Sequence, residues 1–303
     1  MELAMIGLGK MGANMTERLV KGGHRVVGYD LNPESVAQIV EIGAEGAVSL
    51  EDLAGQLPDP QIVWIMVPAG GPVDQTIEAV LPFLRSGAVI IDGGNSYYRD
   101  TLRRAEQCDS SGVQVIDCGT SGGIWGLAEG YSMMVGGDQQ VVENLRPIFE
   151  TLAPAADQGW GRVGPAGSGH FVKMVHNGIE YGLMQAYAEG LAIMEAKEDF
   201  GLDLHQIAEI WRYGSVVRSW LLDLTADALA ENPTMEGIAP FVPDSGEGRW
   251  TVFEAIDLNV AAPIITNSLF RRISSRDEES YADRILSAMR HKFGGHAIKS
   301  EDG

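Results

Sequence analysis

Through the first half of the chain, short apolar runs alternate with amphipathic stretches, and glycine- or proline-bearing turns separate them. The runs at 3–8, 25–30, 61–67, 88–91, 113–118 and 131–135 predict strands, and the stretch at 158–163 predicts one more that closes the sheet. Between them, helices are predicted to about residue 21, over 33–42, to about residue 84, over 98–110 and over 138–150. Such alternation predicts an α/β domain with a doubly wound sheet of the Rossmann type. After Gly164-Pro165 the pattern turns helical without clear strands, over 167–200, 204–213, 219–230, 251–274 and 278–293. The expected organisation is therefore a Rossmann domain over 1–163 followed by an all-helical domain over 164–303.

Length agrees, since 303 residues exceed a typical single core. A formal charge of -20 argues against nucleic acid or an anionic membrane as partner, so positive contacts to any anionic substrate must be local. No apolar run reaches the roughly 18 residues of a membrane span, and no basic segment leads an apolar one at the start; a soluble, cytoplasmic protein is expected. Cys108 and Cys118 lack the pairing of a disulfide scaffold or zinc site and read as buried or incidental thiols in a reducing compartment.

The first strand runs into Gly7-Leu8-Gly9-Lys10-Met11-Gly12. In a strand-turn-helix context this spacing fits a dinucleotide: Gly7 permits the turn, Gly9 lets a pyrophosphate approach the helix N-terminus, and Gly12 allows close packing. Asp30 ends the second strand, where a carboxylate accepts hydrogen bonds from an adenosine ribose and repels a 2′-phosphate, which favours NAD over NADP. Helix capping, its competing use, is better filled by Asn32. Three more loops follow strands at the same edge: Val67-Pro68-Ala-Gly, Gly93-Gly94-Asn95-Ser96 and Ser121-Gly122-Gly123. Their backbone donors and polar side chains suit a hydroxylated or carboxylated substrate.

In the helix predicted over 167–200, Lys173, His176, Asn177, Glu180 and Tyr181 share an arc of about 140°, with Phe171, Val175, Ile179 and Leu183 opposite. The apolar face is expected to pack and the polar face to carry chemistry. His170 either touches the cofactor or helps to start the helix, and the sequence favours the second. Further on, Arg249, Arg271, Arg272, Arg290 and His296 supply cations, and Gly294-Gly295 should end the last helix and leave a short tail.

Ile91-Asp-Gly-Gly-Asn-Ser96, Ser121-Gly-Gly123, the run Gly169 to Tyr181, Gly246-Glu-Gly-Arg-Trp-Thr251 and Arg290-His-Lys-Phe-Gly-Gly-His296 together closely resemble the decarboxylating 6-phosphogluconate dehydrogenases, in their short form. The resemblance implies that Lys173 is the base that takes the proton of the substrate's 3-hydroxyl, and that Glu180 is the acid that protonates C1 of the enediol after carbon dioxide leaves. It implies no metal, because the 3-keto intermediate is itself an electron sink. Asn95, Ser121, Gly122, Gly123, His176 and Asn177 would hold hydroxyls and carboxylate; Tyr181, Arg249 and Arg272 would hold phosphate. Arg290 and His296 would complete the site from the tail of a partner, in a homodimer or tetramer.

Three departures accompany the resemblance. Arg249 stands where longer relatives usually carry Lys, and Ile124-Trp125 where they usually carry two acidic residues; Asp30-Leu31 lacks the Asn-Arg of NADP-type relatives. The alternatives are a β-hydroxyacid dehydrogenase that does not decarboxylate, which needs neither Glu180 nor the arginines, and a non-catalytic dinucleotide sensor.

Overall fold

In the computed structural model, which describes residues 1–299, the first half of the chain folds as β1 (Glu2–Ile6), α1 (Lys10–Lys21), β2 (Arg25–Tyr29), α2 (Pro33–Glu41), β3 (Glu45–Gly46), α3 (Leu50–Gly55), β4 (Ile62–Ile65) and α4 (Gly71–Val80). It continues with β5 (Val89–Asp92), α5 (Tyr98–Asp109), β6 (Gln114–Ser121), α6 (Gly126–Glu129), β7 (Ser132–Gly136), α7 (Gln139–Asn144), α8 (Arg146–Leu152) and β8 (Trp160–Gly164). One sheet takes all eight strands, in the order β3-β2-β1-β4-β5-β6-β7-β8. Neighbours pair in parallel except β6 with β7.

Both sheet faces are covered, which is why the strands read as unbroken apolar runs. With a side-chain period of two, Leu3, Met5, Trp64 and Ile91 enter one core cluster, and Ala4, Ile6, Val63, Ile65 and Ile90 the other. Trp64 is fully buried and meets the ring of Phe149, which itself stacks on Trp160 at 5.2 Å. Each such side chain stabilises the fold by roughly 1.5–3 kcal/mol.

Several boundaries differ from expectation. The helix expected over 138–150 is two, α7 and α8, because Pro147 in the first turn of α8 has no N–H to continue a preceding ladder. β3 and α3 went unpredicted; each is too short for periodicity to register, although Ser49 caps α3 through the Asp52 N–H at 3.0 Å. Asn32 caps α2, as expected, by accepting from the Glu34 N–H.

The chain divides into two compact units, Met1–Asn177 and a second that starts at Gly178; the division falls inside α9 (Ser168–Glu195). In the second unit lie α10 (Leu204–Arg212), α11 (Trp220–Glu231), α12 (Glu247–Asp257), α13 (Pro263–Ser274) and α14 (Tyr281–Gly294). The single helix expected over 251–274 is thus broken, at Asn259 with φ +56° and before Pro263, which opens α13. Gly295 ends α14 in the left-handed conformation, as the Gly-Gly pair predicts. Among the described residues no helix is long and apolar enough to cross a membrane. Cys108 and Cys118 are buried and free, and burial pushes their thiols up to about 11 and about 12.

His24, just after α1, is buried with Nε2 2.8 Å from Thr151 Oγ1. Burial first, then the Met1 ammonium, hold its pKa below the ordinary value, against the opposing pull of the Pro147 carbonyl. As pH falls through about 6.5 the unfolded chain takes up a proton that the folded chain refuses. His24 therefore contributes stability that is full above that pH and is lost below it. Urea midpoints at about pH 7.5 and about pH 5.5 should differ less for His24→Gln than for the wild type; an equal difference would show that His24 carries none of it.

Candidate active site

Gly7 sits between β1 and α1 with φ +91°, and a Cβ there would lie 2.5 Å from Met66 O and 2.9 Å from Val67 Cγ1. A Cβ on Gly12 would lie 2.0 Å from Gly7 O, so the helix can approach the turn only without one. Gly9, in contrast, faces open space, with nothing within 4 Å of such a Cβ. It precedes α1, whose first N–H groups have no side-chain cap, and Lys10 beside it is exposed while Met11 is half-buried. Uncapped N–H groups at an open helix start suit a pyrophosphate. Asp30 lies next to this turn: its Oδ2 accepts the Leu8 N–H at 2.6 Å and its Oδ1 the Asn32 N–H at 2.8 Å. The residues present therefore fit a dinucleotide at the point where strand order reverses, between β1 and β4.

The loops after β4 and β5 meet there. A Cβ on Gly94 would lie 3.2 Å from Val67 O, and Pro68 and Asn95 are exposed beside them. Asp92, fully buried at the end of β5, takes the Ser96 hydroxyl at 2.7 Å and the Gly94 N–H at 3.2 Å. Arg104, also buried, reaches Asp92 at 3.3 Å, Asp74 at 2.7 Å and the Gly70 carbonyl at 3.0 Å, so one guanidinium holds both loops. Sequence reasoning missed this role.

On β6, Asp117 is buried and accepts the Gly167 and His170 N–H groups at 2.7 and 2.8 Å, satisfying the start of α9. A lone carboxylate within an apolar strand was the available signal. His170 has the expected structural place: buried, with Nδ1 2.7 Å from Thr101 Oγ1. One turn on, Lys173 is buried and donates from Nζ to Asn177 Oδ1 at 2.8 Å. His176 Nδ1 lies 3.1 Å from the same oxygen, and an amide oxygen can only accept, so Nδ1 is the donor of that contact. Behind the lysine stands Gly119, where a Cβ would lie 2.4 Å from Lys173 Cβ and 2.7 Å from Gly169 O. Ser121 and Gly122, half-buried, and Gly123, exposed, continue β6 into the next loop.

The expected polarity of α9 is overturned. Lys173, Asn177 and Tyr181 are buried, whereas Ile179 and Leu183 are 53% and 45% exposed. The polar side is drawn inward because Gly119 and Gly248 admit Lys173 and Tyr181 against bare backbone. Glu180 is half-buried.

In the second unit, Tyr181, Arg249 and Arg272 converge on residues 243–247. Arg272 lies over the Tyr181 ring at 3.5 Å and donates to the Pro243 carbonyl at 3.0 Å. The Tyr181 hydroxyl accepts the Ser245 N–H at 3.3 Å. Arg249 holds buried Asp244 through two bonds, of 2.8 and 3.0 Å, and Arg276 adds a third at 2.9 Å. Arg249 foremost, then Arg276, keeps the Asp244 carboxyl below the usual carboxylate range. Asp244 and Arg276 were missed because their pairing joins residues far apart in sequence. Arg290 and His296 are exposed on α14 and just after it, and among the described residues Arg290 has no carboxylate partner.

Known proteins match the chain in two parts. Residues 2–161 match the family described as the NAD binding domain of 6-phosphogluconate dehydrogenase, and residues 169–301 that described as the 6-phosphogluconate dehydrogenase C-terminal domain. A Haloferax volcanii protein named NAD(+)-dependent, decarboxylating 6-phosphogluconate dehydrogenase is 43% identical over 303 residues, covering all of both chains. A Bacillus subtilis protein of the same name is 38% identical over 94% of this chain and 64% of its own. The solved Plasmodium falciparum 6-phosphogluconate dehydrogenase, described with NADP+ and with 6-phosphogluconate, superimposes with a TM-score of 0.84 at 28% identity, over all of this chain and 67% of its own.

Proposed function

The chain belongs to the 6-phosphogluconate dehydrogenase family, and we propose that it oxidises and decarboxylates 6-phospho-D-gluconate to D-ribulose 5-phosphate and carbon dioxide, with NAD preferred to NADP as hydride acceptor. The observation that carries this reading is the buried Lys173 amine, fixed on Asn177 at the start of α9. When bound, NAD supplies the hydride acceptor; the glycine turn at Gly7, Leu8, Gly9, Lys10, Met11 and Gly12, with Asp30, Val67, Pro68 and Asn95, would hold it.

Lys173 Nζ takes the proton of the 3-hydroxyl while hydride leaves C3. The resulting 3-keto acid releases its carboxylate as carbon dioxide, and the electron pair of that bond forms the enediol. The protonated lysine donates a hydrogen bond to the developing oxyanion. Glu180, two helical turns further along α9, then protonates C1 of the enediol, the carbon that was C2 of the substrate. Asn177 Nδ2 donates to substrate oxygens and His176 Nε2 hydrogen-bonds a hydroxyl, while Asn95, Ser121 and the backbone of Gly122 and Gly123 hold the remaining hydroxyls and the carboxylate.

Tyr181, Arg249 and Arg272 take the phosphate. Their surroundings favour it: Arg249 and Arg276 share the single carboxylate of Asp244, and Arg272 has no carboxylate partner among the described residues, a local positive surplus in a chain of charge -20. A non-decarboxylating hydroxyacid dehydrogenase would have no use for it. Residues 1–163 serve the coenzyme and lend Asn95 and the Ser121 loop to the substrate, while 164–303 serve the substrate and the partner. Exposed Ile179, Leu183, Met184 and Ile193 on α9 and Phe293 on α14 support a homodimer or tetramer, in which Arg290 and His296 of the partner subunit close the phosphate site. The enzyme works in the cytoplasm.

The test is NADH formation from 6-phosphogluconate with carbon dioxide measured in the same sample. Equimolar products are expected, with NAD used better than NADP, and Asp30→Ser should narrow that preference by more than about tenfold by removing like-charge repulsion. No turnover with either coenzyme, from folded protein, would overturn the reading; a preference unmoved in Asp30→Ser would overturn only the role of Asp30.

A further inference from the structure

Arg18 lies on the third turn of α1, the helix whose N-terminus is open at Gly9. It makes no ion pair among the described residues. Its guanidinium donates instead to three backbone carbonyls distant in sequence: Nη1 to Leu127 at 3.1 Å, Nε to Thr151 at 2.9 Å and Nη2 to Ala153 at 2.6 Å. Leu127 belongs to α6, which follows Ser121-Gly122-Gly123 and the exposed pair Ile124-Trp125. Thr151 and Ala153 stand at the end of α8, where the same loop is anchored: Tyr131 N donates to Leu152 O at 2.9 Å, and a Cβ on Gly130 would lie 2.4 Å from Pro154 N.

The loop over 122–130 thus has a fixed exit, and its middle is tied to α1 through Arg18. Gly126 adds a second seat, since a Cβ there would lie 1.9 Å from the buried Tyr131 ring. A planar fork with donors on three nitrogens is what allows one side chain to serve three carbonyls, and lysine cannot reproduce it. Charge-assisted bonds of this kind are among the stronger ones.

We propose that Arg18 is a positioning residue that sets the substrate loop from the coenzyme helix, so that occupancy of the α1 N-terminus and seating of Ser121, Gly122 and Gly123 on substrate are coupled. This rests on the functional reading above. Arg18 touches neither ligand; its effect passes through the Leu127 carbonyl to the loop. Coupling of this kind is reciprocal, so each ligand changes the affinity of the other by the same factor.

Arg18→Lys and Arg18→Met, in the full-length protein, test it through three quantities: KM for 6-phosphogluconate, Kd for NAD, and Kd for NAD in the presence of saturating 6-phosphogluconate. Circular dichroism confirms folding at the assay temperature. Loss of the fork should raise KM by about tenfold or more, leave Kd for NAD alone within about twofold, and bring the ratio of the two Kd values toward one. Gly126→Ala, which displaces the loop without touching α1, should raise KM in the same way. A merely structural arginine would lower thermal stability and leave that split unmoved, and this result in Arg18→Lys overturns the proposal even if Arg18→Met does not fold. A Kd for NAD that rises as much as KM also overturns it. Wild-type protein without turnover overturns the functional reading and this inference together, whereas wild-type turnover with an unmoved KM in the variants overturns the inference alone.

Discussion

Lys173→Met should lose about 10²–10⁴-fold in kcat, the range that positioned general bases supply. The substitution suits the site, because methionine approximates the lysine stem in volume and leaves no amine to desolvate. Lys173 is buried with its Nζ on Asn177 Oδ1, so the variant loses that hydrogen bond but keeps the packing of the stem, and it should keep its fold. Thermal midpoint and NAD affinity should stay close to the wild type while single-turnover NADH formation collapses. Activity within tenfold of wild type, from protein free of contaminating enzyme, would assign the base elsewhere and reopen the sensor reading.

Gly119→Ala should reduce kcat/KM by about 100-fold although it adds one methyl group and touches no ligand. The methyl would stand 2.4 Å from Lys173 Cβ and 2.7 Å from Gly169 O, closer than packed carbons approach, so β6 and α9 must part. A displacement near 1 Å is enough to spoil a reacting geometry at about that level, and overpacking costs about 1–3 kcal/mol of stability. Gly161→Ala on β8 is the control, since nothing lies within 4 Å of the added Cβ and both quantities should stay put. Kinetics and urea midpoints on the two variants decide it: a Gly119→Ala enzyme with wild-type kinetics would show that the backing of Lys173 is unimportant.

The two substitutions probe features of different legibility. Lys173 stands out in the sequence because it shares a helical arc with His176, Asn177, Glu180 and Tyr181. Gly119 does not, since a glycine after Cys118 reads as a turn until α9 is seen against it. The same contrast recurs with Asn32, whose capping role depends on the residues that immediately follow, and Asp244, whose role depends on Arg249 and on Arg276, 32 positions away. It recurs again in α12 and α13, where a continuous apolar period concealed a break that only Asn259 and Pro263 mark.

By itself the sequence determined the alternation of strands and helices, the dinucleotide turn at Gly7, Gly9 and Gly12, and the chemical identity of the groups on α9, because each follows from periodicity, spacing or conformational freedom within a short stretch. Tertiary structure alone decided which side of α9 is buried, how Asp117 satisfies its first turn, and that Arg18 and Arg104 each bind distant loops together. The reason is physical: burial and close approach depend on what the rest of the chain places opposite a residue. A helix that reads as apolar on one side turns its polar side inward when glycines on a strand and a helix packed against it leave room for it.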